Sequence, residues 1–190
     1  RIFVHNRLTH SIDVASVGRS LGSEVSKDII RRNPHLRDAN VSECGAIVSA
    51  ACLAHDMGNT PFGHSGEKAI ATYFSDRSGL VLKNELSEAE WCDITHFEGN
   101  ANAFRLLTHQ FVGRRPGGFV MTYSTLASIV KYPFESTAAG NKQKFGFFQC
   151  EKDDYLKIAK ELQIKQLSKP GVPLRFARHT LVYLVAAADD

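Results

Sequence analysis

Apolar residues recur along most of this chain with the spacing of α-helices. In residues 9–30 they fall three or four positions apart, at Val14, Val17, Leu21 and Val25. Side chains at this spacing share one face of a helix, which can then pack against a core. The pair Asn33-Pro34 is predicted to end this first helix, because the residue before a proline disfavours helical backbone.

The same spacing predicts six further helices, and strand-like alternation is scarce. Their expected ranges are residues 42–55, 64–74, 98–110, 122–131, 153–162 and 174–190, with Ser42 and Asp153 as N-caps. Residues 58–61, with a glycine and a proline, break the chain, as do residues 114–118. Residues 76–92 and 134–152 are interpreted as long connections. The predicted fold is all-α, in one domain of residues 1–190.

Both ends of the chain have the character of structured segments. An apolar run over residues 181–188 stops at Asp189-Asp190 with no capping residue or tail after it, and the chain starts as abruptly at Arg1. We therefore expect the chain to be a piece of a longer protein.

Composition narrows the class of protein only slightly. Hydrophobic residues make up 43% of the 190 positions, and the formal net charge is +3, which is too mild to indicate nucleic-acid binding. No apolar run reaches the length of a membrane span. The four cysteines form no C-x-x-C pair, which favours free, mostly buried thiols in a cytoplasmic protein over disulfides or a cysteine zinc site.

Histidines and acids concentrate in four segments near predicted helix ends. They are residues 7–10, the pair His55-Asp56, residues 62–67 and residues 96–100. A histidine beside an aspartate offers one nitrogen and one oxygen ligand, a mixture that suits Mn, Fe, Zn, Ni or Co, with Mg favoured by more oxygen ligands. The dipeptide alone is weak evidence, and by itself it favours a capped helix end over a metal site.

The order of these segments resembles the HD-domain superfamily, and most of all its deoxyguanosine triphosphate triphosphohydrolase branch. The resemblance covers essentially the whole chain. It is carried by residues 6–11, 54–67, 96–101, 126–133 and 183–190, of which the run from His55 to Glu67 is the most specific. It implies a helical bundle around a metal site.

The resemblance also implies the metal ligands. They are His10, His55, Asp56 and Asp189, with Asp190 as the rival for the last position. Two imidazoles and two carboxylates leave coordination positions for water and a phosphate oxygen. The metal is one of Mn, Mg, Fe, Ni, Co or Zn.

His64 and Glu67 are the expected catalytic pair. Their i, i+3 spacing puts them on one helix face, and a carboxylate beside an imidazole sets its tautomer and raises its basicity. His64 then acts as general acid for the leaving oxygen or orients the nucleophile. The structural alternative is a polar helix start in which Glu67 complements the helix dipole.

Four other residues are predicted to bind substrate, each with a structural alternative. Arg7 suits a triphosphate oxygen or is a solvated side chain, and His96 contacts phosphate or lies on the surface. Lys131 binds phosphate or caps carbonyls at a helix end. Asn59 touches substrate or serves the turn. Glu98 is equally compatible with a functional role and with an early-helix acid.

The chain departs from the family pattern in three respects. The family usually has Gln at the position of Asn102 and Glu at the position of Ala186, and the second change removes a carboxylate beside Asp189. Family members also extend beyond both ends of this sequence, which puts the activity of this segment alone in question.

The function that the resemblance implies is metal-dependent hydrolysis of deoxynucleoside triphosphates, dGTP in particular, to deoxynucleoside and inorganic triphosphate. The alternatives are another HD phosphohydrolase, such as a nucleotidase or phosphodiesterase, and a non-catalytic nucleotide sensor. A homo-oligomer, often a hexamer in the family, is expected. The sequence does not indicate single-stranded nucleic acid as a partner, and no membrane association is expected.

Overall fold

A computed structural model describes residues 6–113, 115–140 and 143–190, and this part of the chain is helical. The predicted all-α class is confirmed. The α-helices of the described residues are α1 (Arg7–Arg32), α2 (Cys44–Ala54), α3 (His64–Asp76), α4 (Glu88–Thr95), α5 (Gly99–Thr108), α6 (Tyr123–Ile129), α7 (Lys152–Glu161) and α8 (Val182–Asp189).

Short 3-10 helices and two bridges complete the described structure. The 3-10 segments are Pro34–Leu36, Val41–Glu43, Ser78–Asn84, Ser136–Ala138 and Gln149–Glu151. Extended backbone pairs only at two isolated antiparallel bridges in these ranges, Phe134 with Arg175 and Gln166 with Phe176. Arg114, in the predicted loop, lies outside the described residues.

The long helix α1 packs closely along α2, and α8 contacts both. The close approach depends on glycines: a Cβ at Gly22 would lie only 2.7 Å from the Cα of Gly45 on α2. Contact between the two backbones at this point brings the start of α1 and the end of α2 to the same side of the bundle. On that side α1 begins directly after Asn6, which caps the helix in a reciprocal capping box with Thr9.

The main core cluster draws buried residues from α1, α2, α5, α6, α7 and α8. Tyr155 of α7 stacks on Phe147 with ring centroids 4.6 Å apart and meets Phe104 and Phe176 edge to face. All four rings are buried, and burial raises the pKa of Tyr155. This aromatic cluster holds the irregular segments around residues 147 and 176 against the helices.

Two predicted N-caps are wrong by one or two residues. Ser42 lies inside the 3-10 segment Val41–Glu43, so helical backbone has already begun before it, and α2 starts at Cys44. Asp153 likewise lies within the first turn of α7, whose cap position is Glu151. An acid inside the first turn stabilises a helix through its dipole instead of through a cap hydrogen bond.

The segment 76–92, predicted as an irregular connection, contains the 3-10 helix Ser78–Asn84 and the start of α4. Ser87 caps α4: its hydroxyl oxygen accepts the Glu90 N–H, and the Glu90 carboxylate accepts the Ser87 N–H. This capping box is a recognisable sequence signal for a helix start. The polar residues at 87–90 thus mark the start of a helix and not a loop.

The last predicted helix is also too long. Residues 174–181 are extended or turn-like, and α8 begins only at Val182. The reason is that the backbone there pairs with the segment before α7: Phe176 N–H donates to Pro133 O, and Leu174 N–H donates to the Glu135 carboxylate. These long-range partners replace the hydrogen bonds of a helix.

The four cysteines are free, as predicted, but only Cys52 is buried. Burial, followed by the charge of Asp189, raises the pKa of Cys52 to about 11, so this thiol stays protonated. Within the described residues, no helix combines the length and apolar character needed to cross a bilayer.

Candidate metal centre and adjoining cavities

Four side chains from α1, α8 and the turn that ends α2 meet at one point of the bundle: His10, His55, Asp56 and Asp189. His10 lies in the second turn of α1, His55 follows the last residue of α2, and Asp189 ends α8. Oδ1 of Asp189 lies 3.2 Å from Nε2 of His10 and 3.2 Å from Nε2 of His55. Ligand atoms of His10, His55 and Asp56 all lie within 4.8 Å of one another, a spacing that can hold a metal ion.

The protonation of His55 follows from its neighbours. Its Nδ1 lies 2.6 Å from the carbonyl oxygen of Cys52, which can only accept, so in the neutral ring Nδ1 carries the proton and Nε2 has a free lone pair. This Nε2 is buried and makes no hydrogen bond within the described residues. It faces carboxylate oxygens of Asp56 and Asp189 at 3.3 and 3.2 Å.

This arrangement fits a divalent cation. Nε2 of His55 and the two carboxylates converge as acceptors beside Nε2 of His10, and a buried polar atom without a partner is costly. A cation between them can be bound by all four groups at once. The nitrogen and oxygen donors suit a first-row transition metal or Mg.

The structure distinguishes between the two acids at the end of the chain. The carboxylate of Asp189 reaches both histidines, whereas Asp190 is exposed at the C-cap of α8. Asp189 is therefore the better placed of the two candidate ligands. Ala186, where the family usually has Glu, lines the same cavity one turn earlier.

The turn after Asp56 contains Asn59 and is contacted by Arg7 of α1, and both residues are predicted to bind substrate. Asn59 Nδ2 donates to Asp56 Oδ1 at 2.7 Å. Arg7 donates to the backbone oxygens of Asn59 at 2.9 Å and Thr60 at 3.4 Å. Asn59 lines the cavity at the metal centre, and Arg7 lies outside that lining. Both side chains thus hold the turn, and their contact with substrate stays a prediction.

His64 and Glu67 form a hydrogen-bonded pair at the start of α3. His64 Nδ1 lies 2.8 Å from Glu67 Oε2, and Glu67 Oε1 accepts the Gly99 N–H at 2.9 Å. The His64 ring is 79% exposed, while Glu67 is 13% exposed. The carboxylate is therefore anchored, and it orients an imidazole that is open to a ligand.

Two adjoining cavities, each of about 320 Å³, share His64, Glu67, Glu98 and Lys144. The metal cavity is lined further by His55, Asp56, Asn59, Lys131, Tyr132 and Asp189. The side cavity is lined further by Lys68, Ala71, Thr95, His96, Phe97 and Gln143. The predicted site residues thus divide between them: Lys131 borders the metal cavity, and His96 borders the side cavity.

Glu98 and Lys144 form an ion pair at the junction of the two cavities. Lys144 Nζ lies 2.8 Å from Glu98 Oε1, and Glu98 is also the N-cap of α5, accepting from the Asn100 N–H at 2.8 Å. Glu98 thus has a structural role as the N-cap of α5, and it also borders both cavities, so a functional role stays a prediction. Desolvation lowers the pKa of Lys144, but the hydrogen bond and charge of Glu98 outweigh it and hold that pKa above its usual value.

Lys144 was missed by sequence reasoning. It lies in the segment 134–152, which reads only as a loop rich in Lys, Gly and Phe. No local pattern distinguishes it from the other lysines there, because its position depends on a partner 46 residues away.

Comparison with known proteins agrees with the site. The HD domain family model matches residues 7–132, which is well over half of the chain, so the chain belongs to the HD domain family. A deoxyguanosinetriphosphate triphosphohydrolase-like protein of Pseudomonas aeruginosa is 46% identical over 98% of this chain and 42% of its own length. A protein with the same name from Synechocystis is 44% identical over 98% of this chain and 44% of its own.

A relative named deoxyguanosinetriphosphate triphosphohydrolase, from Yersinia enterocolitica, is 31% identical over 98% of this chain and 41% of its own length. The chain thus spans less than half the length of these relatives. The HD domain and the names of these relatives together support a hydrolase.

Proposed function

We propose that this chain carries the catalytic centre of a metal-dependent triphosphohydrolase that converts deoxynucleoside triphosphates, dGTP in particular, to deoxynucleoside and inorganic triphosphate. The observation that carries the proposal is the convergence of two histidines and two aspartates beside the hydrogen-bonded pair of His64 and Glu67. The names of the relatives support the choice of substrate.

The metal ligands of the proposal are His10, His55, Asp56 and Asp189. When bound, a divalent cation supplies Lewis acidity toward a phosphoryl oxygen and toward water. Mn and Mg are the preferred candidates, and the mixed donors also accept Fe, Ni, Co or Zn.

The protein's own groups handle the leaving group. Hydrolysis breaks the bond between the α-phosphorus and the 5′ oxygen, and the water oxygen stays on the triphosphate. His64 in its doubly protonated form donates the Nε2 proton to the 5′ oxygen as it leaves, and the Glu67 carboxylate holds Nδ1–H and stabilises the imidazolium. The His64 ring is exposed and lines a cavity of about 320 Å³, so it has room to contact the 5′ oxygen.

The triphosphate needs cationic groups around it. Lys131 borders the metal cavity and His96 the side cavity, and both are proposed to contact phosphate. Asn59 and Lys144 line the metal cavity, and Arg7 contacts the turn that carries Asn59; all three are proposed to contribute. Arg7 is already engaged with two backbone carbonyls, and its guanidinium has further N–H donors for a phosphate oxygen.

The products test the proposal directly. Intact protein is incubated with dGTP and Mn²⁺, and the phosphate products are separated by ion chromatography. Inorganic triphosphate and deoxyguanosine in equal amounts are expected. Pyrophosphate or monophosphate in place of triphosphate indicates another HD phosphohydrolase, and tight dGTP binding without turnover indicates a nucleotide sensor.

A homo-oligomer and a cytoplasmic location belong to the proposal as well. Light scattering coupled to gel filtration of the intact protein, with and without dGTP, measures the first. An oligomer, up to a hexamer, is expected.

A further inference from the structure

The turn that carries the candidate ligand Asp56 is in contact with the first turn of α5. Asn59 donates from Nδ2 to Asp56 Oδ1 at 2.7 Å, and its other side-chain atom, Oδ1, lies against Gly99. A Cβ at position 99 would meet that oxygen at only 2.6 Å. Side chains larger than hydrogen are therefore excluded at Gly99 while Asn59 keeps this position.

The same glycine contacts the catalytic pair. The Gly99 N–H donates to Glu67 Oε1 at 2.9 Å, and a Cβ at position 99 would lie 2.9 Å from this oxygen. The other oxygen of Glu67 binds His64. Gly99 is buried and lies between the side chain that holds the metal ligand and the side chain that holds the catalytic histidine.

We propose that Asn59 is a positioning residue for Asp56, and that Gly99 couples the metal centre to the pair of His64 and Glu67. The inference rests on the proposed metal-dependent function. Asn59 satisfies one oxygen of the carboxylate and fixes its rotation, so that Asp56 Oδ2 stays on the side of His10, 3.8 Å from its Nε2. Hydrogen-bonding partners of this kind set the affinity of metal sites.

Asn102 offers a matched control. It is also an asparagine, and its Nδ2 donates to the same turn, at Gly58 O, with a distance of 2.9 Å. Within the described residues this hydrogen bond goes to Gly58 and not to Asp56. If both asparagines only stabilise the turn, replacing either one should affect metal binding equally. If Asn59 positions Asp56, only the replacement of Asn59 should weaken metal binding.

The first experiment measures Mn²⁺ affinity of the intact protein by electron paramagnetic resonance, with Co²⁺ absorption as a spectroscopic check on coordination. Asn59→Ala is expected to weaken Mn²⁺ binding about 10- to 100-fold and to change the Co²⁺ spectrum. Asn102→Ala is expected to lower the melting temperature while leaving both readouts unchanged. Asn59→Leu repeats the comparison with the side-chain volume kept, in case the alanine variant does not fold.

The second experiment is a double-mutant cycle. Gly99→Ala is expected to weaken Mn²⁺ binding in the wild-type background, because the new Cβ displaces Asn59. In the Asn59→Ala background most of that loss should disappear, because the displaced oxygen is absent.

Equal Mn²⁺ affinity of the two asparagine variants, or additive effects in the cycle, overturns the inference. If wild-type protein binds no Mn²⁺, or if His55→Ala binds it as well as wild type does, the proposed metal centre itself fails. The two failures are thus distinguishable without an activity measurement.

Discussion

Charged side chains cluster in two regions of the described structure, and the regions differ in the hydrogen-bonding partners that the protein gives to them. At the start of α7, the buried carboxylate of Glu151 forms an ion pair with Arg105 at 2.5 Å, and that of Glu135 forms one with Lys152 at 2.6 Å. Glu135 also accepts from the side chain of Gln149 and the backbone of Leu174. In this region each of these acids has donors supplied by the protein.

At the candidate metal centre the balance is different. The carboxylates of Asp56 and Asp189 face imidazole nitrogens, and Nε2 of His55 is buried without a hydrogen bond in the described structure. An acid surrounded by fixed donors serves the fold, since its charge is already satisfied. At the metal centre Asn59 donates to Asp56, but Nε2 of His55 has no hydrogen bond in the described structure, and the group can hold a cation. This difference separates the structural cluster from the candidate metal centre.

The largest expected effect is the loss of function on His55→Ala. The variant removes the buried nitrogen at the centre of the four ligands, so Mn²⁺ binding and dGTP turnover should both fall to background. Calorimetric titration with Mn²⁺ and release of triphosphate measure the two properties. His35→Ala, at an exposed histidine, is the control and should behave as wild type; retained turnover in His55→Ala would remove this site from the mechanism.

The comparison of the two terminal acids is the next largest effect. Asp189→Asn keeps the size of the side chain and removes the charge that faces His10 and His55, and we expect Mn²⁺ affinity to drop by about 100-fold or more. Asp190→Asn should change the affinity less than about threefold, because in the described structure the ion pairs with His10 and His55 are made by Asp189. The reverse order would show that Asp190 is the ligand.

The structural cluster is expected to respond to pH through Asp93. Burial, against hydrogen bonds from Ser136 and the Gln149 N–H, raises the pKa of Asp93 from 3.8 to about 6. The folded state then keeps a proton that the unfolded chain loses between about pH 4 and 6, so this group lowers stability as pH rises through that window. Asp93→Asn removes the change and keeps an oxygen for Gln149.

Urea unfolding of metal-free protein measures this difference. The free energy of unfolding of Asp93→Asn, minus that of wild type, should grow from pH 4 to pH 6 by up to about 3 kcal/mol and then level off. A difference that stays constant across these pH values contradicts the assignment.

The smallest expected effect comes from Lys152→Met. The variant keeps the length of the side chain and removes one charged donor from Glu135, which retains the N–H groups of Leu174 and Gln149. We expect a loss of about 1.5 kcal/mol in the free energy of unfolding, since Lys152 is a third exposed. Mn²⁺ affinity should not change; a loss of affinity would mean that the two regions are not independent.

The sequence by itself determined the helical class, most helix positions and the candidate residues. These properties are local: apolar spacing sets a helix face, and the run from His55 to Glu67 is a contiguous motif. The errors arose where a local signal was overlooked, as with the capping box of Ser87 and Glu90, or where distant backbone took over, as at residues 174–181.

Only the tertiary structure decided how these residues work together. It brought Asp189 and not Asp190 to the histidines, joined Lys144 to Glu98 across 46 positions, and turned Asn59 toward Asp56. These contacts depend on the close packing of α1 on α2 and on the position of α5, which no periodicity in the chain encodes. A sequence pattern names donors and acceptors, and the packing of helices determines which of them face each other and which are left to bind a cation.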